Sequence, residues 1–138
     1  MMKIIDAKDI VLGRVGSHAA KIALLGDDVS IINCELARVT GDEKTIFAHY
    51  RRRVKMGIYS HGPFLSRKPE MFVKRSLRGM LPYKQPRGAI ALKRIKCYKG
   101  TPDIKGEAVD LKDHHISKVP SLKHTTVKAI CLHLGGKE

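Results

Sequence analysis

Three groups of residues in this sequence are of types that do chemistry when suitably spaced. The first is Gly13-Arg14-Val15-Gly16, which sits where a glycine-rich phosphate loop would stand between a strand and a helix. It has the spacing of neither G-x-G-x-x-G nor G-x-x-x-x-G-K-[ST], so its backbone is not expected to cradle a nucleotide. The second is His114-His115 with Asp110 and Asp113. Adjacent histidines point in different directions in regular structure, and no Cys or His pair has zinc spacing, so no metal site is predicted. The third is Cys34, Cys97 and Cys131, an odd set at wide intervals beside apolar residues. They read as reduced, core-packed thiols of a cytoplasmic protein, not as a disulfide framework. His18 is expected to be a solvated surface imidazole. No nucleophile setting is recognisable, so neither enzymatic activity, nor a cofactor, nor a small-molecule substrate is predicted.

What remains is cation chemistry, and here the sequence is far from average. The 138 residues carry 27 Lys and Arg against 13 Asp and Glu, a net charge of +14 and a pI of about 10.0. Residues 1–43 are slightly acidic, with 5 basic and 7 acidic side chains, and residues 101–138 are nearly balanced, with 6 and 5. Residues 44–100 hold 16 basic side chains and a single acid, Glu70. A coat of charge for solubility would be spread evenly; a surplus confined to one segment predicts a surface for a polyanion. Arg presents a planar fork to phosphate oxygens and Lys a mobile point charge. The candidate contacts are Arg51, Arg52, Arg53, Lys55, Arg67, Lys68, Lys74, Arg75, Arg78, Lys84, Arg87, Lys93 and Arg94.

These cations need a scaffold, and the apolar pattern supplies one. Lys3-Ile4-Ile5 reads as a short buried strand. From Gly13 to Leu25 the residues Val15, Ala19, Ile22 and Ala23 recur at helical spacing, and Gly26-Asp27-Asp28 stops the helix. Val29-Ser30-Ile31-Ile32 is a second strand. Strand, helix and strand in about thirty residues predict a parallel βαβ unit and an α/β layer fold. A second helix over 44–55 has Phe47, Tyr50 and Val54 on its apolar stripe. The segment 57–68, with its glycines and Pro63, is an irregular loop. Pro69 opens a third helix with Val73, Leu77, Met80 and Leu81 inward and Lys74, Arg75 and Arg78 on the adjacent side. A basic connector, 83–88, leads to a short helix over 89–94 and a strand over 95–98. With aromatics at 5% and no Trp a stacking platform for bases is not predicted; Tyr59, Tyr83 and Tyr98 could each stack individually, but packing against strands or loops is the expected fate of each. Gly79 is costly inside a helix, and two explanations stand: close approach of a polyanion's backbone or a neighbouring element, or a helix-ending turn before Pro82. No apolar run approaches the ~20 residues of a membrane span.

The stretch Arg75-Ser76-Leu77-Arg78-Gly79-Met80-Leu81-Pro82-Tyr83-Lys84 resembles the hallmark of the large-ribosomal-subunit protein family numbered thirteen. Asp6-Ala7, Leu12 to Val15, Asn33-Cys34-Glu35, Thr40-Gly41, Gly62-Pro63 with Arg67 and Pro69, and Arg87-Gly88 through Arg94 support the resemblance, over roughly residues 4–102. The short turn Leu25 to Val29 is similar to the archaeal members. The resemblance implies a three-layer α/β/α fold around a four-stranded, mostly parallel sheet with basic loops. It divides the chain into a single RNA-binding α/β domain, 1–102, and a C-terminal extension, 103–138, docking on the body or on neighbouring proteins. It further implies a structural, non-enzymatic role in the large subunit, with large-subunit ribosomal RNA and neighbouring large-subunit proteins as partners. The alternative is an RNA-binding translational regulator acting outside the ribosome.

Overall fold

The structure, a computed structural model, describes residues 1–137. Strand β1 (Met2–Asp6) is followed by helix α1 (Leu12–Leu25) and strand β2 (Asp28–Ile32). β2 buries Val29, Ser30 and Ile31 in succession, the mark of a strand covered on both faces. α1 buries Val15, Ala19 and Ala23 on the expected stripe. It ends at Gly26, whose φ of 114° lets its N–H turn back to the Ala23 carbonyl. β1 and β2 pair in parallel with Ile5 opposite Ile31, as the strand, helix, strand pattern predicts.

Strand β3 (Arg38–Thr40), helices α2 (Glu43–Lys55), α3 (Pro69–Met80) and α4 (Pro86–Arg94), and strand β4 (Ile95–Cys97) complete the part of the chain with the strongest sequence signals. Pro69 and Pro86 both occupy the first turn of their helices, where the missing N–H costs nothing. Residues 86–88 are therefore helical and not part of a connector. Their helix starts early because Gly88 lets α4 close onto the preceding turn: a Cβ there would lie 2.1 Å from the Pro82 carbonyl oxygen. In α3, Val73, Leu77 and the following Leu81 are buried as expected, together with Phe72. Met80 departs from the stripe, being 41% exposed, with its sulfur lying over Gly16 of α1.

The remaining elements are strand β5 (Glu107–Val109), strand β6 (His124–Thr126) and helix α5 (Val127–His133). The four-stranded sheet runs in the order β4-β2-β1-β5, all parallel, with Lys3 opposite Glu107 and Ile31 opposite Cys97. With its helices it forms a three-layer α/β/α fold. A two-stranded antiparallel sheet joins β3 to β6. The fourth strand of the main sheet thus comes from beyond residue 102. Val127, Ile130, Cys131 and Leu134 from the same segment enter the common core with Phe72, Val73 and Leu77. Thr126 caps α5, its Oγ1 accepting from Ala129 N–H at 3.1 Å. The segment 103–137 and the body share one core. β5 left little trace in the sequence because it is three residues long and exposes Glu107 and Ala108.

Polar bonds lock the ends of the strands. Asn33, itself left-handed at φ 53°, donates from Nδ2 to Asp6 at 2.8 Å, Glu35 accepts from Gly100 N–H at 3.1 Å, and Arg38 donates to Asp9 at 2.7 and 2.9 Å. Among the described residues no helix is long and apolar enough to cross a membrane.

Candidate nucleic-acid interface

α2 and α3 pack through Tyr50 and Phe72, whose rings meet edge to face at 5.0 Å. That contact sets the distance between the cations on the two helices. Arg53 of α2 and Arg75 and Arg78 of α3 line a hollow of about 310 Å³ with Tyr50, Gly79 and Tyr83. Arg78 lies over the Tyr83 ring at 5.2 Å, so the guanidinium of this exposed side chain is oriented by a cation–π contact. Arg75 donates to the Phe64 carbonyl at 2.6 Å, which ties the loop before α3 to the helix. Arg75 and Arg78 also line a second hollow of about 250 Å³ with Lys74, Phe64, Met71 and Leu92. The two arginines form a ridge between the hollows.

A second group of cations gathers where the loop enters α3. Arg67 and Lys68 line a hollow of about 440 Å³ with Lys99 and Lys137, and Glu70 lines it too. Lys99 lies in the basic segment but at a strand break, and Lys137 lies in the charge-balanced tail, so neither stood out in the sequence. Other predicted contacts are not drawn together. Arg51 reaches His133 Nε2 of α5 at 2.8 Å. Arg94, half-buried, points back at the Ala23 carbonyl near the end of α1 at 3.4 Å, a structural position. Arg52, Lys55, Lys84, Arg87 and Lys93 are exposed on α2, on the turn before α4, and on α4.

The electrostatic arrangement is lopsided. The ion pairs among the described residues link Met1 to Asp27, Lys3 to Glu107, Arg38 to Asp9, Lys112 to Asp110, Lys118 to Asp113 and Lys123 to Asp42. Every one lies outside residues 44–100. Glu70, the only acid of that segment, sits in the first turn of α3, where it suits the helix dipole. Among the described residues the central cations thus form no ion pair with a carboxylate, Glu70 beside Arg67 and Lys68 being the one acid near them in sequence, and their mutual repulsion is what an external polyanion relieves.

The other chemical candidates dissolve into structure. Gly13 to Gly16 lies within α1, and Gly16 is buried where a Cβ would meet the Met80 sulfur at 2.5 Å, so it serves helix packing. His114 and His115 do point apart: the first meets His18, Nε2 to Nε2 at 3.1 Å, and the second bonds Ser117 Oγ at 2.8 Å. His18 is consequently half-buried and not a solvated imidazole. Burial lowers its pKa, helped by His114, Lys21 and Arg14 nearby. Cys34, Cys97 and Cys131 are free thiols. The Cys34 thiol is pushed up by its hydrogen bond with Cys97 and by burial, and Cys131 is raised to about 11, chiefly by burial. Tyr83 is held by Arg78, but Tyr59 is 94% exposed, contrary to the packed position expected for it. Around Gly79 an added Cβ would meet nothing within 4 Å, so no neighbouring element of the protein explains that glycine.

Fold and surface together define a small α/β/α protein whose distinguishing equipment is an unpaired cationic surface carried by its helices. Comparison with known proteins narrows this class. The family model described as "Ribosomal protein L13" matches residues 1–103, and the chain belongs to that family. It is 38% identical to the "Large ribosomal subunit protein uL13" of Methanococcoides burtonii, over 99% of both chains. The protein of the same name from Methanocaldococcus jannaschii is also 38% identical over 99% of both chains. That of Halobacterium salinarum is 37% identical over 96% of this chain and 90% of the relative. These relatives are archaeal, and the likeness extends through the C-terminal segment that completes the sheet.

Proposed function

We propose that this protein is a structural constituent of the large ribosomal subunit in the cytoplasm, and that it grips large-subunit ribosomal RNA with the cations of α2, α3, α4 and the loop between α2 and α3. The names of the relatives suggest the particle. The observation that carries the mode of binding is the absence, among the described residues, of any carboxylate ion pair within residues 44–100, set against six pairs elsewhere. Arginines held by a tyrosine face or a backbone carbonyl are oriented yet electrically unsatisfied, which is what phosphate recognition needs.

The mechanism is clamping. A rigid body presents several cationic elements to separate RNA segments and fixes their relative positions during assembly, reading shape and backbone in preference to sequence. Each phosphate contact releases counterions, so binding weakens steeply with salt, by ~0.7 to 0.9 in the logarithmic slope per contact. Gly79, exposed beside Arg75 and Arg78, leaves room for RNA backbone to approach α3 closely. Neighbouring large-subunit proteins complete the set of partners.

Sedimentation of a lysate tests the reading. The protein is expected to travel with large subunits at one copy per particle and to leave them only in high salt. Recovery in the slowly sedimenting soluble fraction at low salt refutes it.

A further inference from the structure

Between α2 and α3 the chain makes a tight turn whose tip is aromatic. Ile58 accepts at its carbonyl from both His61 N–H (3.1 Å) and Gly62 N–H (3.0 Å), and Ile58 and Gly62 form an isolated antiparallel bridge. The turn tolerates little variation at its base. Gly57 has φ 77°, and a Cβ on it would lie 2.1 Å from the Gly62 carbonyl oxygen. Gly62 has φ 72°. Two glycines and two hydrogen bonds thus hold the tip residues Tyr59 and Ser60 clear of the body, and Tyr59 is 94% exposed. Beyond the turn, Arg75 holds the Phe64 carbonyl, so the loop is moored to the same helix that carries the arginine ridge.

An exposed tyrosine on a floppy loop would need no explanation; one on a fixed turn, within the cationic segment, does. An aromatic ring presented this way offers a flat face to a flat partner, and the charge around it selects which. Lys55 and His61 flank the turn in sequence, Arg67 and Lys68 follow it, and the segment's sole acid is Glu70 on the helix beyond. Met56, Ile58 and Phe64 are also exposed here, so an apolar protein surface is the competing occupant, but only RNA brings both phosphates for the cations and a base for the ring. Paired bases hide their faces in the helical stack, so the ring requires an unpaired or splayed base.

We propose that the 58–62 turn is a stacking probe, with Tyr59 packing against an unpaired base of the RNA that the cations hold. The inference rests on the RNA-binding reading above and adds to it a site of a different chemistry. Stacking adds affinity without charge. Its loss is expected to weaken binding by roughly 5- to 150-fold, the equivalent of the usual range for one stacked base, while leaving the salt slope alone.

The chain contains no tryptophan, so Tyr59→Trp installs a single fluorophore at the tip. A control, Leu122→Trp, places one at a position of equal exposure, 94%, in the charge-balanced C-terminal segment. Deproteinised large-subunit ribosomal RNA and a fully paired RNA duplex serve as probes, and Tyr59→Ala is titrated in parallel. Quenching of the indole emission of the Tyr59→Trp variant by ribosomal RNA but not by the duplex, no quenching in the Leu122→Trp control, and a weaker Tyr59→Ala with an unchanged slope support the stacking site. Salt-sensitive binding of ribosomal RNA with unaltered emission and undiminished Tyr59→Ala affinity overturns it and leaves the RNA-binding reading standing. Emission that responds only when ribosomal proteins are added assigns the tip to a protein neighbour and also overturns it. Failure of the wild-type chain to bind ribosomal RNA in salt-dependent fashion sinks both.

Discussion

Replacing Arg75 and Arg78 together with glutamine probes the cationic surface where it is densest. Both guanidinia line both hollows beside α3, and among the described residues neither hollow is lined by a carboxylate, so their removal strands no acid there. If each holds one phosphate, the double variant lowers the salt slope by ~1.4 to 1.8. Taking the electrostatic part of binding to vanish near 1 M salt, this weakens binding by about a hundredfold at 50 mM and about tenfold at 200 mM. The fold should tolerate the change. Arg75 gives up an exposed bond to Phe64, worth about 1 kcal/mol, and Arg78 its contact with Tyr83, worth about as much. The assay is equilibrium binding to large-subunit ribosomal RNA at four or more salt concentrations, with thermal unfolding of the free protein alongside. Arg94→Gln is the counterpart: its guanidinium points at the Ala23 carbonyl, so it should lower the unfolding temperature and barely move the slope. A double variant with wild-type slope and affinity would falsify the assignment of this ridge to RNA.

Four further outcomes are expected. A chain truncated after residue 102 loses the strand beside β1 and the α5 side chains of the core, and should show no cooperative unfolding transition; a sharp calorimetric peak would contradict the shared core. Gly88→Ala should destabilise by ~1 to 3 kcal/mol because its Cβ meets backbone, whereas Gly79→Ala should stabilise the free protein by ~0.5 to 1 kcal/mol yet weaken RNA binding; chemical denaturation and binding titrations read the two effects apart. Leu77→Ala, at a fully buried position, should cost ~2 to 5 kcal/mol in the same denaturation experiment. Because the His18 pKa lies below that of the unfolded chain, the unfolded state binds the extra proton first on acidification. Stability should therefore fall as pH drops below about 6.5, and His18→Gln should flatten that stretch of the melting-temperature profile.

Most of the scaffold was legible because its elements carry redundant signals. α1 announces itself through apolar spacing and Gly26, α3 through Pro69 and the Val73 to Leu77 stripe, and the βαβ unit through β-branched residues on both sides of a helix. What escaped was carried by contacts distant in sequence. β5 is a strand only because β1 lies beside it, and Glu107-Ala108-Val109 has no pattern of its own. Met80 left the expected stripe because Gly16, on another helix, makes room for its sulfur. In sequence only Gly79 looks costly, since Gly88 falls in the expected connector, yet it is Gly88 whose place is fixed by contact, with the carbonyl of Pro82. For the cationic surface, charge counting located the segment but could not separate Arg94, turned inward, from Arg78, turned outward. It also passed over Lys99 and Lys137, which join Arg67 through the fold.

The strand order has a consequence for how the molecule is made. β1 lies inside the sheet, yet one of its neighbours is 104 residues away along the chain, counted from Lys3 to Glu107. During synthesis the helices bearing the cations emerge while one edge of β1 still lacks its partner, and closing so long a loop is entropically slow. A nascent chain of this kind is a polycation with an open seam, prone to capture by any stray nucleic acid and to strand pairing with its siblings. Its arrival at the right address is consequently a race between sealing that seam and meeting the wrong anion.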